Sequence, residues 1–402
     1  MALGEAEGRH DLSAVGSADL ATTASARQPP VPIRIRAHKA SFADAVEAFN
    51  ERLRAAGQTA RFPTSPEPEW LPNRPGRKLF QEHFLALDEA GAVRGGYILK
   101  HQEFLVGNEV CSVGTFQLPI SEGVFNRAYA SVGVQLLLDA QRRQPLLFGL
   151  GMGSRGRPLP GLMAAARWRL VGVPFFFHVV RPTAFLREVA YLRRRPWQRL
   201  LLDLLAFSGL GWAAIRAANA LVGRNAALVP SLDVEEFREF GPWADELWIA
   251  HKEHYGMTAV RDADTLRILY PSDEPRFIRL KIRDGGRAVG WVVLLRTRLS
   301  GHKQFGNMRL GTIVDGFASP TDAPQLIAAA RAHLEQRGVD LIVSNQQNEA
   351  WCRALRRAGF QRGTSNFLFA TSPALTRRLD DARIAPHDVH MNRGDGDGPI
   401  HL

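Results

Sequence analysis

One carboxylate in the chain stands in a setting that suits acid–base chemistry. Asp315 interrupts the apolar run Gly311-Thr-Ile-Val-Asp-Gly-Phe317, which predicts a buried strand. Burial disfavours the charged form of a carboxylate, and this makes Asp315 a candidate general base. The small residue beside it, Gly316, would let backbone amides approach a substrate oxygen. The alternative is an aspartate at a strand end whose oxygens accept hydrogen bonds from a turn.

A second group of candidates lies on a predicted helix. His251 and His254 are three residues apart, and Tyr255 follows them. This spacing suits two ligands of a metal ion, but the sequence shows no third ligand, so we predict no metal site. A role beside an acceptor molecule and a place as ordinary surface histidines both remain open.

A glycine-rich loop follows a predicted strand. Gly151-Met-Gly-Ser-Arg-Gly156 has the glycine spacing of a dinucleotide-binding loop. No Asp or Glu lies between Gln141 and Arg187 to hold a ribose, which disfavours a nicotinamide cofactor. The remaining alternatives are an ordinary turn and a backbone-amide pocket for an anion, formed by Gly153, Ser154 and Arg155.

Length and charge limit the class of protein. A chain of 402 residues suggests two domains. The formal net charge of +11 favours an anionic partner such as CoA, a sugar nucleotide or a membrane surface. Arginines are spread along the chain without zinc spacing or an RNA-binding aromatic signature, which disfavours nucleic acid. Two cysteines in predicted elements and an N-terminus without a signal peptide favour a cytoplasmic protein with free thiols.

The order of predicted elements occurs twice along the chain. Each unit reads as helix, loop, meander, helix, strand, helix and strand, and one chance match seldom recurs in register. We therefore predict an α/β fold with mixed sheets, in two tandem domains related by a pseudo-two-fold axis. The predicted divisions are a disordered N-terminus (1–30), domain 1 (31–181), a helical linker (182–230), domain 2 (231–380) and a C-terminal tail (381–402). The closing strands are predicted at 171–180 and 361–370.

The end of the second unit carries the clearest local signals. Leu341-Ile-Val-Ser344 predicts a buried strand, and Asn345 and Asn348 offer caps for a helix start. Gly359 suits a left-handed helix end. An Asn twelve residues before the Phe of a Gly-Phe pair, here Asn348 and Phe360, resembles the C-terminal half of the GNAT acyltransferases.

This resemblance implies transfer of an acyl group from acetyl-CoA or another acyl-CoA to an amine. It places Asp315 on the central strand of the second copy, with His254, Tyr255 and Asn345 around the same cleft. Backbone amides of a splayed central strand would polarise the thioester.

The resemblance also implies where CoA binds. In the first copy its pyrophosphate would meet Arg127 and nearby amides, and the motif implies a part for Asn348. The Tyr that GNAT enzymes commonly place before the Gly-Phe pair is Leu355 here, and its counterpart in the first copy is Trp168. Neither side chain can donate a proton. Tandem pairs also resemble the FemAB group of aminoacyl transferases.

Three functions follow as alternatives. The first is an N-acyltransferase whose acceptor is an amino sugar or a lipid-linked glycan precursor, as the basic charge and the linker favour. The second is a non-catalytic tandem GNAT-fold protein that binds or scaffolds in envelope or polysaccharide biosynthesis. The third is a FemAB-like aminoacyl transferase, which would need a continuous basic channel for tRNA.

The predicted linker offers two interpretations. Asp203 and Arg216 bracket only twelve uncharged residues, too few to span a bilayer. It is either a helix packed on both domains or an interfacial helix, with Trp197 and Trp212 at the inner face of the plasma membrane.

The tail is also open to two interpretations. It places Asp395 and Asp397 in a glycine-rich run that ends with apolar residues. It is either disordered or docked, and a docked tail would supply carboxylates.

Overall fold

A computed structural model describes residues 31–153, 155–189, 217, 232–302 and 305–396. These residues form two mixed β-sheets with helices packed on them, as predicted. No helix within these ranges is long and apolar enough to cross a bilayer. Ser154, nearly all of the predicted linker from residue 190, and the tail from Asp397 lie outside the described residues.

Within the described residues, the first unit and the start of the linker supply seven strands and four α-helices. The strands are β1 (Arg34–Ala37), β2 (Phe80–Leu87), β3 (Val93–Val106), β4 (Glu109–Ser121), β5 (Leu147–Leu150), β6 (Arg169–Gly172) and β7 (Phe175–Val179). The helices are α1 (Ala43–Ala55), α2 (Val132–Arg143), α3 (Pro158–Ala165) and α4 (Pro182–Glu188).

The second unit and the tail supply the remaining elements. The strands are β8 (Asp233–Glu236), β9 (Met257–Ala259), β10 (Phe277–Asp284), β11 (Arg287–Arg298), β12 (Arg309–Ala318), β13 (Leu341–Asn345), β14 (Gln361–Gly363), β15 (Leu368–Thr371) and β16 (Val389–His390). The helices are α5 (Trp243–His251), α6 (Ala263–Leu269), α7 (Ala323–Gln336), α8 (Glu349–Arg357) and α9 (Pro373–Asp381).

The last strand of each unit pairs in the sheet of the other unit. The first sheet has the order β1-β2-β3-β4-β5-β15-β6, and the second has the order β14-β7-β13-β12-β11-β10-β8. β15 therefore lies between two strands of the first unit, and β7 lies between two strands of the second. Neither sheet is complete without a strand from the other half of the chain.

This exchange corrects the two closing strands. The segment 171–180 was predicted as one strand but divides between β6 and β7, in different sheets. The break falls at Pro174, which has no amide hydrogen to continue a ladder. The segment 361–370 divides in the same way between β14 and β15. The two crossing segments meet where the Val173 amide donates to the Phe367 carbonyl (2.9 Å).

Helix α8 forms where local signals predicted it. The Asn348 side chain accepts a hydrogen bond from the amide of Ala350 (3.0 Å), which confirms the predicted cap. Trp351 and Leu355 are fully buried on the inner face of the helix. Gly359 follows the helix with φ of 81°, the left-handed conformation that a glycine adopts at low cost.

The exchange predicts that the two halves cannot be separated under native conditions. A protease site inserted between residues 217 and 232 would cut the chain without removing any strand. We expect the cleaved fragments to co-elute on size exclusion, because separation would expose the edges beside β7 and β15. They should part only in denaturant. Fragments that elute separately in native buffer would contradict the exchange.

Candidate active site

A buried arginine lies between two buried carboxylates where the two sheets meet. Arg261 follows β9, and its guanidinium donates to Asp315 Oδ1 (3.2 and 3.1 Å). The same group donates to both oxygens of Asp395 (3.0 and 3.1 Å). All three side chains are at most 3% exposed. Such a group is costly to bury unless every charge has a partner, and here each one has.

Asp315 accepts more hydrogen bonds than those from Arg261. The Tyr270 hydroxyl donates to Oδ2 (2.8 Å), while the Asn392 amide (2.6 Å) and the Gly316 backbone amide (2.7 Å) donate to Oδ1. A carboxylate offers about four lone-pair positions, and here five donors surround it. These contacts favour a fixed structural anion. The role of general base stays a prediction.

The two groups beside Asp315 have shifted pKa values. Burial, reinforced by Asp315, raises the pKa of Tyr270 well above its usual range. Burial also raises the pKa of Asp395, although Arg261 opposes that shift. Both groups therefore favour their neutral forms more than exposed groups of the same type.

The tail is docked as far as Gly396. β16 pairs in parallel with β9, and Asn392 caps the turn that contains Asp395 through reciprocal side-chain and backbone bonds. Lys100, fully buried on β3, donates to the Asp395 carbonyl (2.9 Å). The docked alternative therefore holds for Asp395, which supplies a buried carboxylate. Asp397 lies outside the described residues.

The docked tail fills the cleft of the second unit. β12 and β13 pair in parallel over four residue pairs, from Leu310 to Ile313 on β12, and then diverge. A bulge at Val314 accompanies the divergence. Beyond it, His390 Nε2 contacts the Gly316 carbonyl (2.9 Å), and the Gln347 amide donates to the Met391 carbonyl (2.9 Å). Residues of the tail thus occupy the space between the diverging strands.

The first unit has the same divergence, with fewer of the described tail residues inside it. β4 and β5 pair only at Gly114 and Thr115 of β4. Two residues of β4, Leu118 and Pro119, then face the single residue Tyr97 of β3, which is a bulge at the corresponding place. Leu118 has φ of 44°, a strained value for a residue with a side chain, and it is partly exposed.

The end of the described tail borders this first cleft. Gln117 donates to the Gly396 carbonyl (2.8 Å), and a side chain on Gly396 would contact Leu150 at the end of β5. A strained bulge, two diverging strands and a glycine therefore border one space.

The predicted catalytic residues are only partly brought together. Asp315 and Asn345 both bind the tail, because the Asn345 oxygen accepts a hydrogen bond from Arg393 (3.1 Å). Tyr255 lies against His390, with ring centroids 4.6 Å apart, and its hydroxyl donates to the Ala318 carbonyl. His254 is exposed at the surface. Its ring instead stacks on His251.

The predicted cofactor residues divide between the two units. Arg127 lies before α2 and is exposed, and no described residue bonds its side chain. Gly153 has φ of 85°, and Arg155 is exposed with its guanidinium bonded to the Leu170 carbonyl. Asn348 lies in the second unit and caps α8, so the structure does not place it with the other three.

Sequence reasoning missed Arg261, Tyr270 and Lys100. Lys100 left a usable signal, because it and Gln102 stand at inward positions of β3, between Ile98 and Phe104. Two polar residues on the buried face of a strand mark a polar interior. Arg261 left no comparable signal, since it follows a three-residue strand in a chain rich in arginine.

No family model and no curated protein matches the chain. Among solved structures, it is similar to Saccharomyces cerevisiae N-myristoyltransferase with bound myristoyl-CoA, at 10% identity and a TM-score of 0.50, over 86% of this chain and 80% of that one. A GCN5-related N-acetyltransferase from Anabaena variabilis matches at 10% identity and a TM-score of 0.49, over 84% of this chain and 72% of that one.

A third solved structure is a GCN5-related glucosamine N-acetyltransferase region of a fungal multi-domain GH3 β-N-acetylglucosaminidase. It matches at 15% identity and a TM-score of 0.48, and covers 85% of this chain, which spans only 38% of that protein. Together with the order of the strands in the two sheets, the similarity to N-myristoyltransferase confirms the predicted α/β fold of two GNAT-like units in one chain.

The buried His390 predicts a pH dependence of stability. Burial lowers its pKa to about 3, from 6.5 for an exposed histidine. Between these values only the unfolded chain holds the extra proton, so acid favours unfolding and the full contribution is present above pH 6.5. We expect this residue alone to lower the free energy of unfolding by about 2 kcal/mol as the pH falls from 7 to 5.

The measurement is urea unfolding of the wild type and of His390→Gln at several pH values. Glutamine can still donate to the Gly316 carbonyl but does not titrate. On acidification, the unfolding free energy of His390→Gln should fall by about 2 kcal/mol less than that of the wild type. His254→Gln, at an exposed position, should follow the wild type. Equal slopes for all three proteins would refute the assignment.

Proposed function

We propose that the protein is an acyl-CoA-dependent N-acyltransferase that binds its acyl-CoA in the cleft of the first unit. The observation that carries the proposal is the bulged, early divergence of β4 from β5, with only Gly396 of the docked tail described beside it. The equivalent cleft of the second unit is occupied by His390, Met391 and Asn392. The structural similarity to an N-myristoyltransferase with bound myristoyl-CoA supports the same ligand class.

The residues of the first cleft fit an acyl-CoA. Arg127 precedes α2 and has no bonded partner in the described part of the chain, so it can bind a phosphate beside the start of that helix. The backbone amide of Leu118 would polarise the thioester carbonyl and stabilise the charge that develops on its oxygen, and it is the one amide donor of the two bulge residues because Pro119 has none. An acceptor amine then attacks that carbon, the CoA thiolate leaves, and the amine releases a proton.

The observations limit the identity of the acceptor less than they limit that of the acyl donor. The net charge of +11 favours an anionic molecule, and an amino sugar on a nucleotide or lipid carrier, such as a lipid-linked glycan precursor, combines that charge with an amine. Membrane contact through residues 193–222 remains part of the proposal, although these residues lie outside the described structure apart from Ala217. Cosedimentation with anionic vesicles that persists unchanged after substitution of Leu204, Leu205 and Trp212 by Glu would reject it.

The non-catalytic alternative has specific support. Leu355 and Trp168, at the positions of the missing Tyr, are both buried apolar side chains, so neither supplies the acid for a leaving thiolate. A scaffold of this fold would bind acyl-CoA without turning it over. Calorimetry with acetyl-CoA and a longer acyl-CoA, followed by an assay of thiol release with amine acceptors, separates the two functions.

Arg127→Gln tests the place of CoA. We expect acyl-CoA affinity to fall about tenfold, because a charge-assisted bond to phosphate is lost. Arg238→Gln is the matched control, since Arg238 is an exposed arginine of the second unit without a bonded partner among the described residues. If calorimetry gives both variants the affinity of the wild type, CoA does not bind at Arg127.

Asp315→Asn separates the two roles of this carboxylate. We expect a loss of roughly 3 kcal/mol of unfolding free energy, because an amide would face the donors that now surround Asp315 and leave Arg261 short of a partner. A general base predicts in addition a fall in kcat of about 10²- to 10⁴-fold.

Asp395→Asn makes the same chemical change within the same cluster and serves as the control. Comparable destabilisation with equal kcat values for the two folded variants would exclude Asp315 as the base. A fall in kcat confined to Asp315→Asn would support it.

A further inference from the structure

A polar cavity of about 730 Å³ lies beside the second sheet, at the end away from the docked tail. It is bordered by the last residues of β11, the first residue of β12 and the end of α4. Four arginines line it, namely Arg187, Arg296, Arg298 and Arg309. Among the described residues that line it, the carboxylates are Glu188 and Asp340. The lining therefore carries more positive than negative charge.

Both carboxylates already have partners. Asp340 accepts two hydrogen bonds from the Arg309 guanidinium (3.1 and 2.7 Å), and Glu188 accepts one from the backbone amide of Asn307 (3.0 Å). Arg296 and Arg298 are exposed, and no residue within the described ranges forms a hydrogen bond or an ion pair with either of them. The guanidinium groups of Arg296 and Arg298 can therefore bind an anionic ligand.

The strand register adds a cost that an anion would relieve. Arg298 lies directly opposite Arg309 in the antiparallel pair of β11 and β12. Like charges at directly opposed positions destabilise a sheet. Asp340 neutralises Arg309 but has no bond to Arg298. Asp340 therefore leaves the charge of Arg298 without a neutralising partner among the described residues.

We propose that this cavity binds a phosphate group. The guanidinium forks of Arg296 and Arg298, which lie on the same face of β11, match the oxygens of a phosphate. The group belongs to a free phosphorylated molecule or to the headgroup of a lipid, which present the same chemistry. This site is independent of the acyl-CoA cleft, because it borders the second sheet, whereas that cleft lies between β4 and β5 of the first sheet, and the two share no residue.

The test uses the full chain and inorganic pyrophosphate as the probe in calorimetry at low salt. In Arg296→Gln/Arg298→Gln, we expect affinity to fall at least about tenfold, because two charge-assisted contacts are lost. The matched control is Arg238→Gln/Arg357→Gln, which removes two other exposed arginines without bonded partners among the described residues. It should bind as the wild type does, apart from a small effect of lower net charge.

Vesicles identify the source of the phosphate. Cosedimentation with phosphatidylglycerol vesicles, compared with phosphatidylcholine alone, that falls in the Arg296/Arg298 variant but not in the control supports a lipid headgroup. Pyrophosphate binding with the same dependence supports a free phosphorylated molecule. The proposal is overturned if the wild type binds neither probe, if both double variants behave alike, or if pyrophosphate binding is lost only in Arg127→Gln.

Discussion

The two halves of the chain and the tail meet at one buried guanidinium. Arg261 follows β9, which pairs with β3 of the first sheet, and it binds Asp315 on the central strand of the second sheet and Asp395 of the tail. Removing one partner from such a cluster commonly costs several kcal/mol. The burial of the arginine and the docking of the tail therefore depend on each other. Lys100 of the first sheet is also buried and donates to the Asp395 carbonyl, so a second side chain binds the same turn of the tail.

Both units have a bulge in the central strand, but its surroundings differ between them. In both, the central strand bulges where it leaves its parallel neighbour. In the second unit the opened space receives His390, whose ring packs against Tyr255 and Trp351, and the chain closes its own cleft. In the first unit the bulge carries a strained, partly exposed Leu118. Backbone strain of this kind is more typical of a ligand site than of packing.

Features that depend only on residues close together in the chain could be predicted from the sequence. The cap of α8 at Asn348 and its end at Gly359 need only a few residues of context, and both were right. The strand exchange depends on which sheet has a free edge for the strand, and the local pattern in 171–180 does not show which sheet that is. Asp315 was recognised as a buried carboxylate, but its neighbours were not, because Arg261 and Asn392 are 54 and 77 residues away in the chain.

The exchange also explains how one tail reaches both clefts. The tail follows β15, and because β15 belongs to the first sheet, α9 begins beside the first unit. The chain then runs along β9 at the edge of that sheet, crosses into the second cleft at His390, and returns to Gln117 of β4 at Gly396. Without the exchange, the tail would start from the second unit. One segment thus fills the second cleft and borders the first, so the asymmetry of the two copies follows from the path of the chain.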